Sequence, residues 1–319
     1  MKLTPATQPT IYFIGVTTSS SMIMSVFPKW AKFLGLHDAV IKGIDLKLHD
    51  DPARYRDVVN FIKHDPLSRG ALVTTHKLDL FHAASNLFDE IDFYADLMGE
   101  TSCLSKRDGK LVCHAKDPIS SGLTIEGFLP KSHFNKTKAD AFIIGAGGSA
   151  IAISWHLMTM LEEQDRPRNL FIADRDPVRL DHIREIHAKA KTTIAVSYHL
   201  VKSADENDAI IAKLAAGSLI VNATGLGKDA PGSPITDAAL LPEQAIIWEL
   251  NYRGDLVFLD QAKAQHAARH LQIEDGWIYF IHGWTQVIGE VFDVTIPTEG
   301  LVFDEISKIA AHASGIRPQ

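Results

Sequence analysis

Phe142-Ile143-Ile144 runs directly into Gly145-Ala146-Gly147-Gly148-Ser149-Ala150, and an apolar, helix-forming stretch follows. A strand, a GxGxxA turn and a helix in that order suit a dinucleotide. Gly145 permits the tight turn, Gly147 lets the backbone approach a pyrophosphate, and Ala150 lets helix and strand pack closely. The N–H groups and dipole at the helix start then hold the anion. Gly145, Ala146, Gly147, Gly148 and Ser149 are therefore candidate cofactor residues, against the plainer alternative of a glycine-rich turn that binds nothing.

The following strand-like run ends in Ile172-Ala173-Asp174-Arg175-Asp176, where such a unit carries the residue that reads the adenosine ribose. Asp174 would accept hydrogen bonds from both ribose hydroxyls and repel a 2′-phosphate. Arg175 pulls the other way, since a guanidinium can stack on adenine or pair with that phosphate. Two carboxylates around one arginine favour NAD as cofactor, with NADP the alternative; an ordinary solvated loop is the bland reading.

Lys77 closes Thr74-Thr75-His76-Lys77 after one strand-like run, and Asp117 follows Lys116 after another. A lysine and an aspartate at strand ends facing one cleft could move a proton on and off a secondary alcohol while hydride passes to a nicotinamide. Two unconnected surface charges would look the same locally. Of the 15 histidines, His266 and His270 have i, i+4 spacing, but no neighbouring Glu completes a zinc-hydrolase signature, and no metal is expected. His76, beside Lys77, would contact substrate or cap the strand end, and His282 could line the cleft.

These residues need a scaffold of strands and helices. In the first part of the chain, Thr10 to Val16, Ala39 to Leu46 and Gly70 to Thr74 read as strands, with helices at Met22 to Leu34 and Pro52 to Lys63. Ser102 to Arg107 pairs across Asp108-Gly109 with Lys110 to Ala115. Pro130 to Asp140 reads as an interdomain connection or a long surface loop. A second series follows, with strands Ala141 to Gly145, Leu170 to Ala173, Thr193 to Tyr198, Ser218 to Ala223 and Ala245 to Leu250. Helical patterns at Ala150 to Leu161, Pro177 to Ala190 and Asp205 to Ala216 alternate with them. That alternation predicts a parallel sheet covered on both faces. Trp277 to Phe292 and Phe303 to Ala313 are helical and would pack back on the first domain. The 319 residues suit two α/β domains, here 1–118 with 277–319, and 119–276 as a doubly wound dinucleotide-binding domain.

With 32 Lys and Arg against 39 Asp and Glu, the net charge is -7, and no basic run could neutralise a row of phosphates, which argues against a nucleic-acid partner. Residues 3 to 28 carry no formal charge, but Thr, Ser, Pro and Gln interrupt each apolar run, so no membrane segment or signal peptide is expected. Cys103 and Cys113 are too few for a disulfide framework and read as reduced thiols in a cytoplasmic protein. A monomer and a homodimer are both compatible with this pattern.

Over most of its length the chain resembles the shikimate dehydrogenase family. The matching segments are Ile14 to Leu36, Val73-Thr74-Thr75-His76-Lys77, Gly99 to Leu111, Asp117, Gly145-Ala146-Gly147-Gly148, Asn222-Ala223-Thr224-Gly225-Leu226-Gly227, Glu249-Leu250-Asn251-Tyr252 and Asp275-Gly276. Their order and spacing carry the resemblance more than any one of them. It implies a Lys77/Asp117 catalytic pair in a cleft between a substrate domain and a Rossmann domain. Asn222, Ala223, Thr224 and Gly225 would border the nicotinamide riboside. Ser19, Ser21, Thr74, Ser102, Tyr252 and Gln286 would meet a small hydroxy-acid substrate such as shikimate or quinate.

The chain departs from that family's pattern at several substrate positions. Of two serines expected two apart, Ser21 fits the first and Ile23 occupies the second, with Ser19 and Ser20 as substitutes. Expected asparagines fall on Ala71 and Ser102, an Asn-Thr pair falls on Ala115-Lys116, and a glutamine falls on Gly283, one helical turn before Gln286. Each lost polar partner costs a substrate that needs it about 1–3 kcal/mol, which makes shikimate itself doubtful while leaving the proton-transfer chemistry in place. Lys116 could replace the missing carboxylate anchor or be a solvated edge-strand lysine. The expected function is oxidation of a secondary alcohol on a polyhydroxy acid, or the reverse. The competing readings are a non-catalytic protein of the same fold that senses the dinucleotide and another lysine-dependent two-domain oxidoreductase.

Overall fold

The run TIYFIG forms β1 (Thr10–Gly15) and is buried throughout, as expected of a strand covered on both faces. After it come α1 (Ile23–Phe33), β2 (Val40–Asp45), α2 (Pro52–His64) and β3 (Ser68–Val73). Asp51 and Pro52 start α2: the aspartate side chain accepts from the Ala53 N–H, and the proline fills the first turn. The chain continues through α3 (Lys77–Ala84), β4 (Glu90–Ile91), α4 (Phe93–Met98), β5 (Cys103–Arg107) and β6 (Lys110–His114). These strands make one six-stranded mixed sheet in the order β2-β1-β3-β5-β6-β4. The β5–β6 hairpin turns at Asp108 and Gly109, both at positive φ, as a two-residue turn of this sequence requires.

The second series comprises α5 (Asp117–Phe128), α6 (His133–Thr137), β7 (Ala141–Ile144), α7 (Gly148–Thr159), β8 (Asn169–Asp174), α8 (Pro177–His187) and β9 (Ala195–Leu200). It goes on through α9 (Ala204–Ile211), β10 (Leu219–Asn222), β11 (Ile246–Glu249), α10 (Val257–Arg269) and β12 (Gln272–Glu274), before α11 (Trp277–Phe292) and α12 (Gly300–Ser314). Its strands form an all-parallel sheet in the order β12-β11-β10-β7-β8-β9, the doubly wound arrangement in which the chain reverses direction beside its first strand.

The computed structural model describes residues 3–228 and 230–316, and divides into two units. One gathers the described residues through Lys116 and from Ile281; the other is Asp117–Phe280. Residues 1–2 and 317–319, placed above in the first domain, lie outside the described residues. In the first unit Tyr12, Ile14, Val58, Ile62, Leu80 and Leu104 share one core cluster. The opposite face of the sheet is covered by α1 and the C-terminal helices. Phe13 meets Trp284 edge-on at 5.2 Å, Phe27 stacks with Phe292, and the Trp30 indole donates to the Ile306 carbonyl at 2.8 Å.

Several sequence expectations are corrected. Pro130 to Asp140 is no interdomain connection: it lies inside the second unit and holds α6, pinned by buried Phe134 and by His133, whose Nε2 lies 2.7 Å from the Gly217 carbonyl. The helix extended to Ala216 ends at Ile211. β4 and β12, with two and three residues, are too short for alternation to reveal. Cys103 and Cys113 are free and buried on adjacent strands.

Candidate functional site

In the first unit, β1, β3 and β5 lie side by side, and their adjoining ends collect several candidates. The Thr74 N–H donates to the Ile14 carbonyl at 3.0 Å, and the Val73 N–H to the Ser102 carbonyl at 2.9 Å. Thr75 sits at φ +60 within a three-residue turn in which the His76 N–H donates to the Thr74 carbonyl. That conformation is strained for a β-branched residue, and strain of this kind gathers at functional sites. Lys77 then opens α3, and its carbonyl accepts from the Thr101 N–H at 3.2 Å. Lys77, Thr74 and Ser102 are thus brought together. The Ser102 hydroxyl is buried and accepts from the Lys116 N–H at 2.7 Å. Ser21 is half-buried and Ser19 exposed in the turn after β1, whereas Ile23 is 0 % exposed in the core and offers substrate nothing. Gln286 is half-buried on α11.

Lys116 is neither a solvated edge lysine nor an open anchor for a carboxylate. Its Nζ lies 2.7 Å from Oε2 of Glu290, which also meets the Arg107 guanidinium at 3.1 Å and lies 3.6 Å from Nε2 of His114. Burial pushes the Glu290 carboxyl up, but the Lys116 hydrogen bond and the His114, Lys116 and Arg107 charges together hold it below the usual range. His76 and His282 are internal. Nδ1 of His76 lies 3.2 Å from the Tyr55 hydroxyl, and the His282 ring stacks on Phe303 at 4.5 Å.

The second unit holds Asp117 as the first residue of α5 and the whole glycine turn. Gly145 has φ +112, and a Cβ there would come within 2.6 Å of the Ala223 carbonyl oxygen, so this glycine is required by the turn itself. Gly147 caps α7 with no side chain bonded to the helix start, and a Cβ there would meet nothing within 4 Å. The helix N-terminus is therefore open, with space over the backbone, which is what a pyrophosphate needs; the residues fit a dinucleotide. The Ser149 hydroxyl accepts from that of Tyr279 at 3.3 Å.

Asp174 faces inward: one carboxylate oxygen accepts from the Ala146 N–H at 2.7 Å and the other from the Asp176 N–H at 2.9 Å. It braces the glycine turn. A pocket of about 350 Å³ lies beside these strand ends, and Asp174, Arg175, Arg179, Lys202, Ser203 and Thr224 are among its lining. Sequence reading missed Arg179 and Lys202, whose signal was only their place after strand ends.

At the end of β10, Asn222 Oδ1 accepts from the Thr224 N–H at 3.1 Å and its hydroxyl at 2.7 Å, while Nδ2 donates to Glu249 at 2.7 Å. Ala223 is tied by its N–H to the Ile144 carbonyl, and Gly225 has φ +77. Asn222, Ala223, Thr224 and Gly225 thus stand as one group against the glycine turn. Tyr252 packs on Phe280 at 4.7 Å and near Trp277, in an aromatic cluster. His266 is exposed on α10, but His270 lies beyond that helix in a left-handed conformation. No cluster of metal-ligating side chains occurs among the described residues.

No protein-family model matches the chain. It is 28% identical over 191 residues to the shikimate dehydrogenase (NADP(+)) of Lactococcus lactis subsp. cremoris (strain MG1363), an alignment covering 59% of this chain and 61% of that protein. Among solved structures, the quinate dehydrogenase from Corynebacterium glutamicum in complex with NAD superposes with a TM-score of 0.71, at 19% identity, over 95% of this chain and 98% of that one. The chain is thus similar in sequence to shikimate dehydrogenases and shares the fold of a quinate dehydrogenase. Its fold is shared equally with the ligand-free 5-ketofructose reductase of Gluconobacter sp. strain CHM43, at TM-score 0.68, 17% identity and coverage of 96% and 98%. The chain spans about three-fifths of the length of the curated relative it matches. No helix among the described residues is long and apolar enough to cross a membrane.

Proposed function

We propose that the protein is an NAD(P)-dependent oxidoreductase acting on a secondary alcohol, or the corresponding ketone, of a small polyhydroxylated molecule. The observation that carries this is the open N-terminus of α7 over Gly147, held against Asn222–Gly225 by a turn that tolerates only glycine at Gly145. A bound nicotinamide supplies or accepts the hydride. Lys77 hydrogen-bonds the reacting oxygen and gives or takes its proton, and Asp117 orients the lysine and the same hydroxyl. Thr74, Ser102, Ser21, Ser19, Gln286 and Tyr252 are assigned to the substrate. The presence of both Lys77 and Asp117 supports turnover over a purely sensing role.

Hydroxy acids such as shikimate and quinate are the substrates that the resemblance to these dehydrogenases suggests. A second reading, a neutral keto sugar or polyol, is favoured by Ile23 being buried where a carboxylate-binding serine is expected and by Lys116 being committed to Glu290. The fold shared with a 5-ketofructose reductase is consistent with it. The test is a screen of the purified protein for NAD(H) and NADP(H) turnover against shikimate, quinate, polyols and ketoses. Lys77→Ala and Asp117→Asn should each lower kcat/KM by at least ~100-fold. Full activity in either variant sinks the mechanism, and absence of dinucleotide binding sinks the function.

A further inference from the structure

Glu249, at the end of β11, is 0 % exposed and is the centre of a hydrogen-bond network with a fixed direction. Its Oε1 accepts from the Asn251 N–H at 2.8 Å and its Oε2 from the Asn222 side-chain amide at 2.7 Å. The Asn222 amide cannot turn round. Its Oδ1 is held by two Thr224 donors, one of them a backbone N–H that has no other role, and its Nδ2 also points to the Leu226 carbonyl. The Thr224 hydroxyl is oriented in turn, because its oxygen accepts from the Leu226 N–H at 3.1 Å. Asn251 closes the ring by donating to the Leu226 carbonyl at 3.0 Å.

Every group bonded to the Glu249 carboxyl is thus a donor. The ionised form suits them all; the protonated form sets an O–H against groups that are themselves donors and weakens the bond from Asn222. We propose that Glu249 is a positioning residue whose ionised carboxylate sets Asn222 and, through it, Thr224, so that protonating this one side chain loosens the 222–227 segment and weakens dinucleotide binding. The binding part rests on the cofactor reading above, which places that segment against the nicotinamide riboside.

Opposing forces place the titration where it matters. Burial pushes the Glu249 carboxyl up to about 7, while the hydrogen bonds from Asn251 and Asn222 and the charge of Lys228 favour the anion. The other carboxylates nearby are engaged elsewhere: Glu274 on β12 accepts from Gln272, and Asp275 accepts from the Trp277 N–H.

The first measurement needs neither cofactor nor activity: a ¹⁵N NMR titration of the protein alone between pH 5 and pH 9. The Thr224 amide and the Asn222 side-chain amide should shift together around neutrality, and Glu249→Gln should abolish the transition. Flat signals in the unmodified protein overturn the proposal, and this arm decides even where the variant fails to fold. The second is calorimetric binding of NADPH and NADH. Affinity should fall about tenfold between pH 8 and pH 6 in the unmodified protein and stay level in Glu249→Gln. Amides that titrate while affinity ignores pH overturn the link to binding. Amides that titrate in a protein binding no dinucleotide at any pH uphold the brace and sink the cofactor reading instead.

Discussion

The ammonium of Lys116 is held 2.7 Å from the Glu290 carboxylate, one residue before Asp117 in the chain, so the cation closest in sequence to the proposed proton-transfer carboxylate is committed to another partner. Both side chains are largely buried, at 11% and 19% exposure, and Arg107 shares the same carboxylate. Removing one partner from a pair this enclosed leaves a charge with little water to replace it. Glu290→Gln should therefore destabilise the protein by about 2 kcal/mol in urea denaturation at pH 7. Adding Lys116→Met to it should recover at least half of that loss. An unchanged midpoint in Glu290→Gln would show the pair to be energetically idle.

Gly145 and Gly147 of the glycine turn separate folding from binding. At Gly145 the backbone is at φ +112 and an added Cβ meets the Ala223 carbonyl oxygen, so Gly145→Ala should cost about 2–3 kcal/mol of stability and abolish dinucleotide binding. At Gly147, φ is -80 and a Cβ meets nothing within 4 Å, so the same methyl group leaves the fold alone and intrudes only on a ligand. Gly147→Ala should keep its urea midpoint and lose at least ~10-fold in dinucleotide affinity by calorimetry. Unimpaired binding in Gly147→Ala would remove the pyrophosphate from that helix terminus.

The contrast between what the sequence discloses and what it hides follows from the range of the interactions. The glycine turn is legible because its strand, turn and helix are contiguous and each glycine has a local reason. The β5–β6 hairpin is legible because Asp108-Gly109 determines its own turn. Lys116 is not, because its partner lies 174 residues away on α11, and no local pattern says which charges will meet. Glu249 is hidden differently. It ends an apolar strand, Ile246–Glu249, where a carboxylate reads as an ordinary solvated strand end, and only the network with Asn222 and Asn251 shows it buried. Asp174 lies between these cases. Its position marks it as a cofactor residue, but its two oxygens are spent on the Ala146 and Asp176 amides, so its contribution to the turn could not be seen from spacing.

Arg175 is exposed at the rim of the pocket that also holds Arg179 and Lys202, while the Asp174 carboxylate is turned inward. A 2′-phosphate bound there would be met by guanidinium and ammonium groups that a plain ribose does not need. Arg175→Ser should therefore lower kcat/KM for NADP(H) at least ~10-fold more than for NAD(H), a differential that corresponds to about 1.4 kcal/mol. Equal losses with both cofactors would mean that the arginine stacks on adenine, which the two share.

Three internal histidines predict how the fold responds to acid. His156, His187 and His282 are each buried, and burial lowers their pKa from 6.5 to about 4. Their neutral rings are packed into place: His156 against Gly122 of α5, His187 between the Ser154 and Tyr198 hydroxyls, and His282 on Phe303. In the unfolded chain each binds a proton near pH 6.5, while in the folded chain it resists until about pH 4, so the unfolded state takes up more protons across that interval. Stability is accordingly full above pH 6.5 and falls as the pH drops towards 4, each ring contributing up to about 3 kcal/mol once that interval is crossed. Urea denaturation should show a loss of at least about 3 kcal/mol between pH 7.5 and pH 5, reduced in His187→Phe, which removes one titrating ring. A loss between pH 7.5 and pH 5 no smaller in His187→Phe than in the unmodified protein would mean that this ring already carries a proton in the folded protein, and that its surroundings are wetter than the packing of α7 and α8 implies.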